Sequence, residues 1–516
     1  MALSSYASLT DTVKYVGMQA CKQCHESIYN TYIETGMGQS FDIASVHKSK
    51  ASFTNSTIYD KHKNFYYHSY WQGDSLKFME YRMDGKDTIH KRVETIHYIV
   101  GSGQHTNSHM TNTNGYFNQA PMTYYTQKGI WDLPPGFEDG NNSRFSREIG
   151  LECMSCHNSF PDFVPGSQNK YTNVPNGITC ERCHGPGAMH VREKIAGNIV
   201  DINSQIDYTI VNPAKLPIDK QFDVCQRCHI QGNAVLNEGK SFFDFKPGMS
   251  LSEVMNVFMP VYSNSNKHIM ASHAERLKQS KCYLVSMQKS ESSATKNNLK
   301  PYKDALTCVT CHDPHVSVRK TEKDFFNKKC IACHSGKETV CTADKIELSK
   351  KNNNCVSCHM QTSGATDIPH VSVHDHRISV PLNEQDKNEI KKFVTIACIN
   401  NPHVDKRTTG KAFIAYYEKF ALGKEMLDSA KKYLPGATHA DIKTNFHELV
   451  HLAYLQDDYN ELQRLLNAYK ENLTILRLKS ADNHHAYTAY RIAQMLETAN
   501  PQQAFWLLQA CGRACP

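Results

Sequence analysis

The feature that most constrains this chain is a short motif, Cys-x-x-Cys-His, which occurs seven times in 516 residues and uses 14 of the 19 cysteines. Chance predicts about 0.04 copies in a chain of this composition, so the repetition is not accidental. The seven copies are Cys21-Cys24-His25, Cys153-Cys156-His157, Cys180-Cys183-His184, Cys225-Cys228-His229, Cys308-Cys311-His312, Cys330-Cys333-His334 and Cys355-Cys358-His359.

The motif spacing matches the chemistry of covalent haem attachment. Two thiols separated by two residues add across the two vinyl groups of a haem, and the adjacent histidine turns under the ring to bind the iron. A zinc site built from paired Cys-x-x-Cys units and a disulfide framework are the alternatives, but neither explains a histidine directly after every second cysteine. The sequence therefore predicts seven covalently bound haem c groups.

Composition excludes several function classes. Hydrophobic residues make up 40% of the chain and charged residues 21%, which is typical of a globular protein and not of a disordered one. No run of eighteen apolar residues is present, which predicts no membrane span. The 58 basic and 51 acidic side chains are too evenly balanced to indicate a nucleic-acid partner.

Covalent haem attachment takes place outside the cytoplasm in bacteria, so the motifs predict a periplasmic or extracellular protein. Residues 1–10 lack the basic and apolar segments of a secretory signal peptide. We expect that the signal was removed from this sequence or that its start is misassigned.

The chain divides by composition into three predicted domains. Residues 1–150 hold the first motif and a β-rich insertion, residues 151–380 form a hexahaem core of loops and short helices, and residues 381–516 are all-α. Turn signals at Gly73-Asp74 and Asp84-Gly85 separate runs rich in Tyr, Phe, Thr and Ile, which predicts a small β-meander. Its predicted strands are Phe53–Tyr59, Asn64–Trp71, Ser75–Arg82 and Thr88–Val93, and a loop is predicted over residues 131–150.

Apolar residues of the C-terminal domain recur at spacings of three, four or seven, as in amphipathic helices. Pro435-Gly436 and Asn500-Pro501 separate the runs, which predicts helices paired as hairpins. Residues 452–461 resemble half of a tetratricopeptide repeat, but no 34-residue period runs through the domain. The periodic residues are Phe413, Tyr417, Phe420, Leu427, Ala430, Leu434, Leu449, Leu452, Leu455, Leu462, Leu465, Leu466, Tyr490, Ile492, Leu496, Phe505 and Leu508.

Each haem iron has a second axial position, for which the chain offers further histidines. Their context selects candidates that flank a tight glycine loop, follow closely on a motif histidine, or bracket a segment after the last motif. The predicted distal ligands are His97, His105, His190, His273, His315, His370 and His376, with His109 and His374 as close alternatives and Met37 as a thioether candidate. For each one, a histidine that only hydrogen-bonds a haem propionate is the competing interpretation.

A second motif competes with the haem interpretation. His447-Glu448-Leu449-Val450-His451 matches His-Glu-x-x-His, in which two imidazoles one helical turn apart bind zinc and the glutamate serves a peptidase as base. The apolar face of the surrounding helix explains these residues without a metal, and no clear third ligand follows. We therefore expect a structural role, with a zinc peptidase as the alternative.

Several motifs lie within longer characteristic stretches, namely Tyr15–Gly17 before Cys21, Ile99–His105, Cys180–Gly187, Cys225–His229, Cys308–His315 and Cys355–Met360. These stretches resemble those of bacterial multihaem cytochromes c with a C-terminal tetratricopeptide-type region. The wider group includes hydroxylamine oxidoreductase, its tetrahaem electron acceptor and pentahaem nitrite reductase. The resemblance implies closely packed, mostly bis-histidine haems. The chain departs from the group in lacking a Cys-x-x-Cys-Lys site and a recognisable crosslinking tyrosine.

Three function hypotheses follow. The first, which we favour, is a non-enzymatic electron carrier, because seven motifs are matched by seven distal candidates. The second is a haem enzyme in which one iron keeps an open position for a small nitrogen or sulfur species. The third is a docking or filament-forming cytochrome, whose helical domain binds redox partner proteins or further copies of the chain.

Overall fold

In the computed structural model of the protein, the described residues are Tyr6, Leu9, 12–230, 232–262, 272–292, 305–335, 341–365, 367–380, 393–420, 423–468 and 483–514. Two short helices and a strand carry the first motif: α1 (Met18–Lys22), α2 (Glu26–Tyr32) and β1 (Phe41–Ile43). None of the helices described in this structure has the length and apolar composition that a membrane crossing requires.

A four-stranded antiparallel sheet follows, with its strands in chain order. The strands are β2 (Thr57–Asp60), β3 (Phe65–Gln72), β4 (Ser75–Asp84) and β5 (Asp87–Ile96). Gly73 and Gly85 lie in the two hairpin turns with φ of +58° and +56°, a left-handed conformation that glycine adopts at little cost. The β-rich region predicted from the sequence is confirmed.

A second antiparallel sheet packs against the first. Its further strands are β6 (Tyr98–Val100), β7 (Thr106–Thr113), β8 (Tyr116–Tyr125), β9 (Ile130–Asp132) and β10 (Arg147–Glu148), in the order β1-β6-β7-β8-β10 with β9 also on β8. Aromatic side chains, among them Phe65, Phe78 and Trp131, form the shared core. The predicted loop over residues 131–150 is wrong where β9 and β10 pair with β8.

Residues 151–380 contain short helices and short strands joined by long loops. The helices are α3 (Leu151–His157), α4 (Glu181–His184), α5 (Ala188–Ile195), α6 (Ile218–Gln226), α7 (His273–Lys278), α8 (Lys281–Ser292), α9 (Cys308–Cys311), α10 (Phe325–Ile331), α11 (Lys345–Lys350) and α12 (Cys355–His359). The strands are β11 (Asp162–Phe163), β12 (Tyr171–Asn173), β13 (Asn233–Leu236), β14 (Met255–Tyr262), β15 (Thr362–Gly364) and β16 (Ser372–His374). Helices this short are marginal in isolation, so other groups must hold them in place.

The C-terminal part begins with a strand, β17 (Phe393–Cys398), which pairs with β14 to make the three-stranded sheet β13-β14-β17. The segment predicted as all-α from residue 381 therefore starts with a strand that completes a sheet of the preceding segment. The described helices that follow are α13 (Lys406–Phe420), α14 (Glu425–Tyr433), α15 (His439–Gln456), α16 (Tyr459–Ala468), α17 (Asn483–Leu496) and α18 (Pro501–Ala514).

One apolar core joins these helices and the edge of that sheet. Most periodic positions predicted from the sequence are buried in it, as Phe413, Leu449 and Ile492 illustrate. Phe420 and Phe505 are instead 54% and 63% exposed, because they lie on helix faces turned away from the core. Thr438 begins α15 with a capping box: its side chain accepts from the Asp441 amide, and Asp441 accepts from the Thr438 amide.

Candidate haem-binding sites

Each described motif is a single helical turn. In five motifs the backbone N–H of the histidine donates to the backbone carbonyl of the first cysteine at 2.9 or 3.0 Å. The other two motifs lie within the helices α3 and α12. Residues three apart in such a turn lie on one face, so the two thiols of a motif point the same way and the histidine follows directly beneath them. This local geometry fits two thioether bonds and one iron ligand from five consecutive residues.

A buried carboxylate ties the first motif to the third. Glu181, one residue after Cys180, accepts hydrogen bonds from the amides of Val16, Gly17 and Gly187 at 2.8–2.9 Å. Three amide donors satisfy this buried charge. The Cys21 and Cys180 thiols lie near each other, and the Cys180 thiol raises the pKa of Cys21.

Thiols from other motifs are also close together. The thiols of Cys156 and Cys228, of Cys225 and Cys308, and of Cys330 and Cys355 lie near each other. In the first two pairs the second thiol raises the pKa of the first, and in the third pair burial and then the second thiol raise it. The spatial order of the motifs therefore differs from their order in the chain. The fourth motif touches both the second and the fifth.

Three predicted distal histidines face motif histidines at a common spacing. The ring centroids of His25 and His190 are 6.5 Å apart, those of His184 and His315 are 6.0 Å apart, and those of His312 and His376 are 6.2 Å apart. In each pair the ring planes are within 29° of parallel. An iron bound on both sides by imidazole, with bonds of about 2 Å, holds the ring centroids about 6 Å apart. The residues present therefore fit a bis-histidine haem at these three places.

A fourth predicted ligand, His273, lies between two rings. Its centroid is 5.5 Å from that of His229, with the planes at 89°, and 4.6 Å from that of His376. The fourth and fifth motif histidines thus share a cluster with two distal candidates.

Hydrogen bonds at Nδ1 separate good iron ligands from poor ones. The Nδ1–H of His376 donates to the His374 carbonyl at 3.0 Å, and His184 donates likewise to Val211 at 2.8 Å. His190 places Nδ1 against the Thr209 hydroxyl at 3.1 Å. A proton held at Nδ1 leaves the Nε2 lone pair available for a metal.

Burial favours the neutral form of four of these imidazoles, which is the form that iron ligation requires. It lowers the pKa of His376 to about 4 and also lowers the pKa values of His184 and His312. Burial likewise lowers the pKa of His190, where Asp207 at 3.4 Å opposes the effect. A neutral imidazole offers the lone pair that a protonated ring lacks.

The structure does not bring the other three predicted ligands against a motif histidine. His97 accepts the Asn112 N–H at Nδ1, and His105 accepts from the Gln127 amide, so both protons belong on Nε2. His370 uses Nε2 for Asp132 at 2.7 Å. These ring orientations are poorly suited to iron, and the ligand role of these residues remains only a prediction.

Of the alternatives, His109 lies in the β-rich core, where it packs on Phe78 and Trp131 and its Nδ1–H donates to the Met122 carbonyl at 3.0 Å. His374 bonds the Met360 carbonyl through Nδ1 at 2.8 Å, which leaves Nε2 available. Met37 lies in the turn after α2, where its carbonyl accepts from Ile178.

Three motif histidines differ from the rest. In the described part of the chain, no candidate histidine ring packs against His157, His334 or His359. Desolvation by neighbouring groups lowers the pKa of the His157 ring, and the nearby Lys48 ammonium lowers it further. The Lys48 ammonium is buried and donates to the carbonyls of Gln39 and Gly101. Sequence reasoning missed Lys48, because no local pattern marks it.

The His-Glu-x-x-His segment is engaged in other contacts. Glu448 is buried and pairs with Arg407 at 3.1 Å, while His451 bonds Glu418 at 2.8 Å. His447 places Nδ1 2.7 Å from the Thr488 hydroxyl. Within the described ranges, no three His, Cys, Asp or Glu side chains are grouped so that they could hold a metal ion. These contacts fit the structural role expected for the segment.

Comparison with known proteins finds similar sequences and a similar structure. The family described as cytochrome c554 and c-prime matches residues 138–185, which contain the second and third motifs. The multiheme cytochrome MtrA of Shewanella baltica is 25% identical over 214 residues, which are 40% of this chain and 57% of that relative. The chain thus spans little more than half the length of this curated relative.

A solved structure, that of the outer cell wall cytochrome OcwA, aligns with 97% of this chain and all of its own chain, at 16% identity and a TM-score of 0.43. The sequence matches and the repeated attachment turns together support a multihaem cytochrome c.

Proposed function

We propose that this protein is a heptahaem c-type cytochrome that carries electrons along closely packed, mostly bis-histidine haems. The observation that carries the proposal is the placement of four candidate imidazoles against motif imidazoles: His190 on His25, His315 on His184, His273 on His229 and His376 on His312. An iron with imidazole on both sides has no open position for a substrate, so it exchanges electrons and not atoms.

Contacts between motifs support a continuous series of haems. Cys21 meets Cys180, Cys225 meets Cys308, and Cys330 meets Cys355. Thiols that lie near each other bring the bonded edges of two haems side by side, which favours rapid electron transfer. The fifth motif connects to the sixth through α10, where Phe326 packs on His312 at 5.4 Å.

The proposed chemistry divides between cofactor and chain. When bound, each haem supplies a reversible one-electron couple. The chain's own residues hold it by two thioether bonds, present neutral imidazoles to the iron and bury the ring edges, and together these set the potential.

The proposal is tested with a pair of variants of the haem-loaded protein. In His376→Ala the histidine facing His312 is lost, and we expect one low-spin haem to become high-spin and to bind cyanide. In the control His370→Ala, a histidine bound to Asp132 is lost, and we expect no change in spin state. Electron paramagnetic resonance of the oxidised proteins measures both, after intact mass has counted the haems.

The proposal fails if the secreted protein carries no haem, or if both variants keep the wild-type spectrum. It also fails if the wild-type protein is high-spin at most of its irons.

A haem oxidoreductase acting on a small nitrogen or sulfur species is the second candidate function. It is supported by His157, which lies near the buried amine of Lys48 and has no candidate histidine against it in the described chain. An open iron at the second motif would give the wild-type protein a high-spin, cyanide-binding signal. Lys48→Met would then alter that signal, whereas an electron carrier with seven low-spin haems would show no such signal.

We further propose a periplasmic or extracellular location, because bacteria attach haem c outside the cytoplasm. Redox partner proteins belong to the same proposal, since an electron carrier needs a donor and an acceptor. The helices α17 and α18 expose Tyr487, Tyr490, Phe505 and Leu508 by 42–63%, and we propose this helical region as their binding surface. Crosslinking of the secreted protein in intact cells tests both statements.

A further inference from the structure

Three motifs meet at one backbone carbonyl. The second residue between the cysteines is Ser155 in the second motif, Arg182 in the third and Arg227 in the fourth. Arg182 Nη2 donates to the Ser155 carbonyl at 2.7 Å, and Arg227 Nη2 donates to the same oxygen at 3.2 Å. Arg227 Nη1 also reaches the Arg182 carbonyl at 3.4 Å, and the Cys228 thiol lies 3.7 Å from Ser155 O.

Both guanidinium groups are buried without enough partners. Arg182 is 2% exposed and Arg227 is 4% exposed. Arg182 Nε and Nη1 and Arg227 Nε are buried nitrogens with no hydrogen-bond acceptor. Donors buried in this way are costly unless a further group satisfies them.

Nearby carboxylates do not supply the missing charge. Glu181, the neighbour of Arg182 in sequence, is occupied by the amides of Val16, Gly17 and Gly187. No ion pair with Asp or Glu is formed by either arginine in the part of the chain described here. A buried cation without an anion is unstable, so the site is built for an anionic group that the polypeptide does not provide.

Aromatic rings hold the guanidinium planes. Arg182 lies over Phe160 and Phe243 with its central carbon 5.0 and 4.6 Å from the ring centroids, and Arg227 lies 6.0 Å from Phe245. Stacking restrains the orientation of the remaining N–H groups, which suits the planar, two-point recognition of a carboxylate.

The only carboxylates that a c-type haem brings are its two propionates, and they lie on the ring edge opposite the thioether bonds. A propionate that reaches Arg182 or Arg227 therefore belongs to a haem attached at a different motif. We propose that Arg182 and Arg227 bind propionates of haems attached at other motifs and so tie those haems to the junction of the second, third and fourth motifs. This inference rests on the proposed function, since it requires haem at these motifs.

The positive charges also affect redox chemistry. A cation near a haem favours the reduced iron, so each arginine raises the midpoint potential of the haem whose propionate it binds. Arg182→Gln and Arg227→Gln keep hydrogen-bonding groups but remove the charge, and we expect a subset of the haems to titrate at lower potential in each. The charge-retaining variants Arg182→Lys and Arg227→Lys should restore most of the midpoint potential but not all of it. Lysine lacks the planar pair of N–H donors with which a guanidinium group binds a carboxylate.

The test uses the haem-loaded, full-length protein and an optical redox titration. Arg192→Gln is the matched control, because Arg192 lies on α5 with 69% of its side chain exposed and pairs with Glu193. We expect its titration curve to match the wild type. Redox-difference infrared spectra of the wild type, with haem labelled by carbon-13 at the propionates, should show a carboxylate band that shifts in Arg182→Gln.

The inference is overturned if both Gln variants carry the full haem complement yet titrate like the wild type. If the Gln variants lose haem, the test is made on the Lys variants and on the infrared spectrum of the wild type. Wild-type propionate bands typical of a solvent-exposed carboxylate would then overturn the inference. Absence of haem from the wild type itself is a different outcome, because it removes the proposed function.

Discussion

The β-rich region, residues 57–148, and the segment of the last three motifs, residues 308–380, are held by different means. In the β-rich region, side chains such as Tyr67, Phe78 and Trp131 fill a core between two sheets. In the motif segment, none of the helices α9 to α12 has a buried side chain.

This contrast shows where each region gets its stability. The β-rich region buries enough apolar surface to offset the entropy of ordering its own chain. The motif segment does not, and its helices of four to seven residues are too short to persist alone. Haems bound at these motifs, as proposed, would supply the missing core there, so we expect the two regions to respond differently to the same treatment.

Loss of one haem should loosen the motif segment and leave the β-rich region unchanged. In Cys330→Ala with Cys333→Ala, the sixth motif has no thiols for attachment, and we expect amide exchange around α10 and α12 to accelerate on the order of 100-fold. Exchange in β3 and β4 should not change. Hydrogen exchange with mass spectrometry measures both regions in one experiment.

Cys282→Ala provides the control, because this cysteine in α8 belongs to no motif. Equal protection of residues 308–380 with and without the sixth haem would contradict the contrast between the two regions.

A core deletion should have the reverse pattern. Phe78→Ala empties a fully buried position between the sheets, and we expect it to lower the free energy of unfolding of the β-rich region by about 3–5 kcal/mol. The haem absorption spectrum should not change. Denaturant unfolding followed by tryptophan fluorescence gives the stability, and Ile89→Ala, at a position 64% exposed, should have no measurable effect. A haem spectrum altered by Phe78→Ala would mean that the regions are not independent.

Acid should destabilise the β-rich region through His109. Burial lowers the pKa of this histidine to about 4, from about 6.5 in the unfolded chain. Between these values the unfolded chain binds the proton more readily, so stability falls as the pH drops from 6.5 to 4, by up to about 3 kcal/mol. Above pH 6.5 the residue adds no pH dependence.

His109→Asn tests this titration, because asparagine does not ionise and can still donate to the Met122 carbonyl. We expect a constant loss of stability from the smaller side chain and a flatter stability profile between pH 4 and 6.5, measured by denaturant unfolding at each pH. An unchanged slope would exclude His109 as its source.

The smallest effect concerns the C-terminal helices, which resemble the β-rich region in having their own core. Glu448 is 4% exposed and pairs with Arg407, whose side chain is 28% exposed. In Glu448→Gln the charge is lost but the shape is kept, and we expect about 1–2 kcal/mol lower stability, since the partly exposed arginine can still be hydrated. Thermal unfolding measures this, and metal analysis of the wild type should find no zinc. A zinc-loaded wild type would favour the peptidase alternative.

Local patterns predicted what local chemistry controls. The seven attachment turns, the hairpins at Gly73 and Gly85, and the amphipathic periods of α13 to α18 are each specified by residues within one turn or one helix. The prediction of a loop over residues 131–150 failed at β9 and β10. These short strands form because they pair with β8, and their own residues carry no strand pattern that reveals this partner.

The candidate site shows the same division. Sequence alone predicted where haem would be attached, because Cys, Cys and His must follow one another within a single helical turn to reach one porphyrin. Only the tertiary structure decided which histidine faces which motif. His190 and His376 direct Nδ1–H toward oxygen acceptors and face motif rings. In His97 and His370 a ring nitrogen is hydrogen-bonded to Asn112 or Asp132 instead. An axial ligand on the far side of an iron is a long-range contact, and a long-range contact is set by the path of the whole chain.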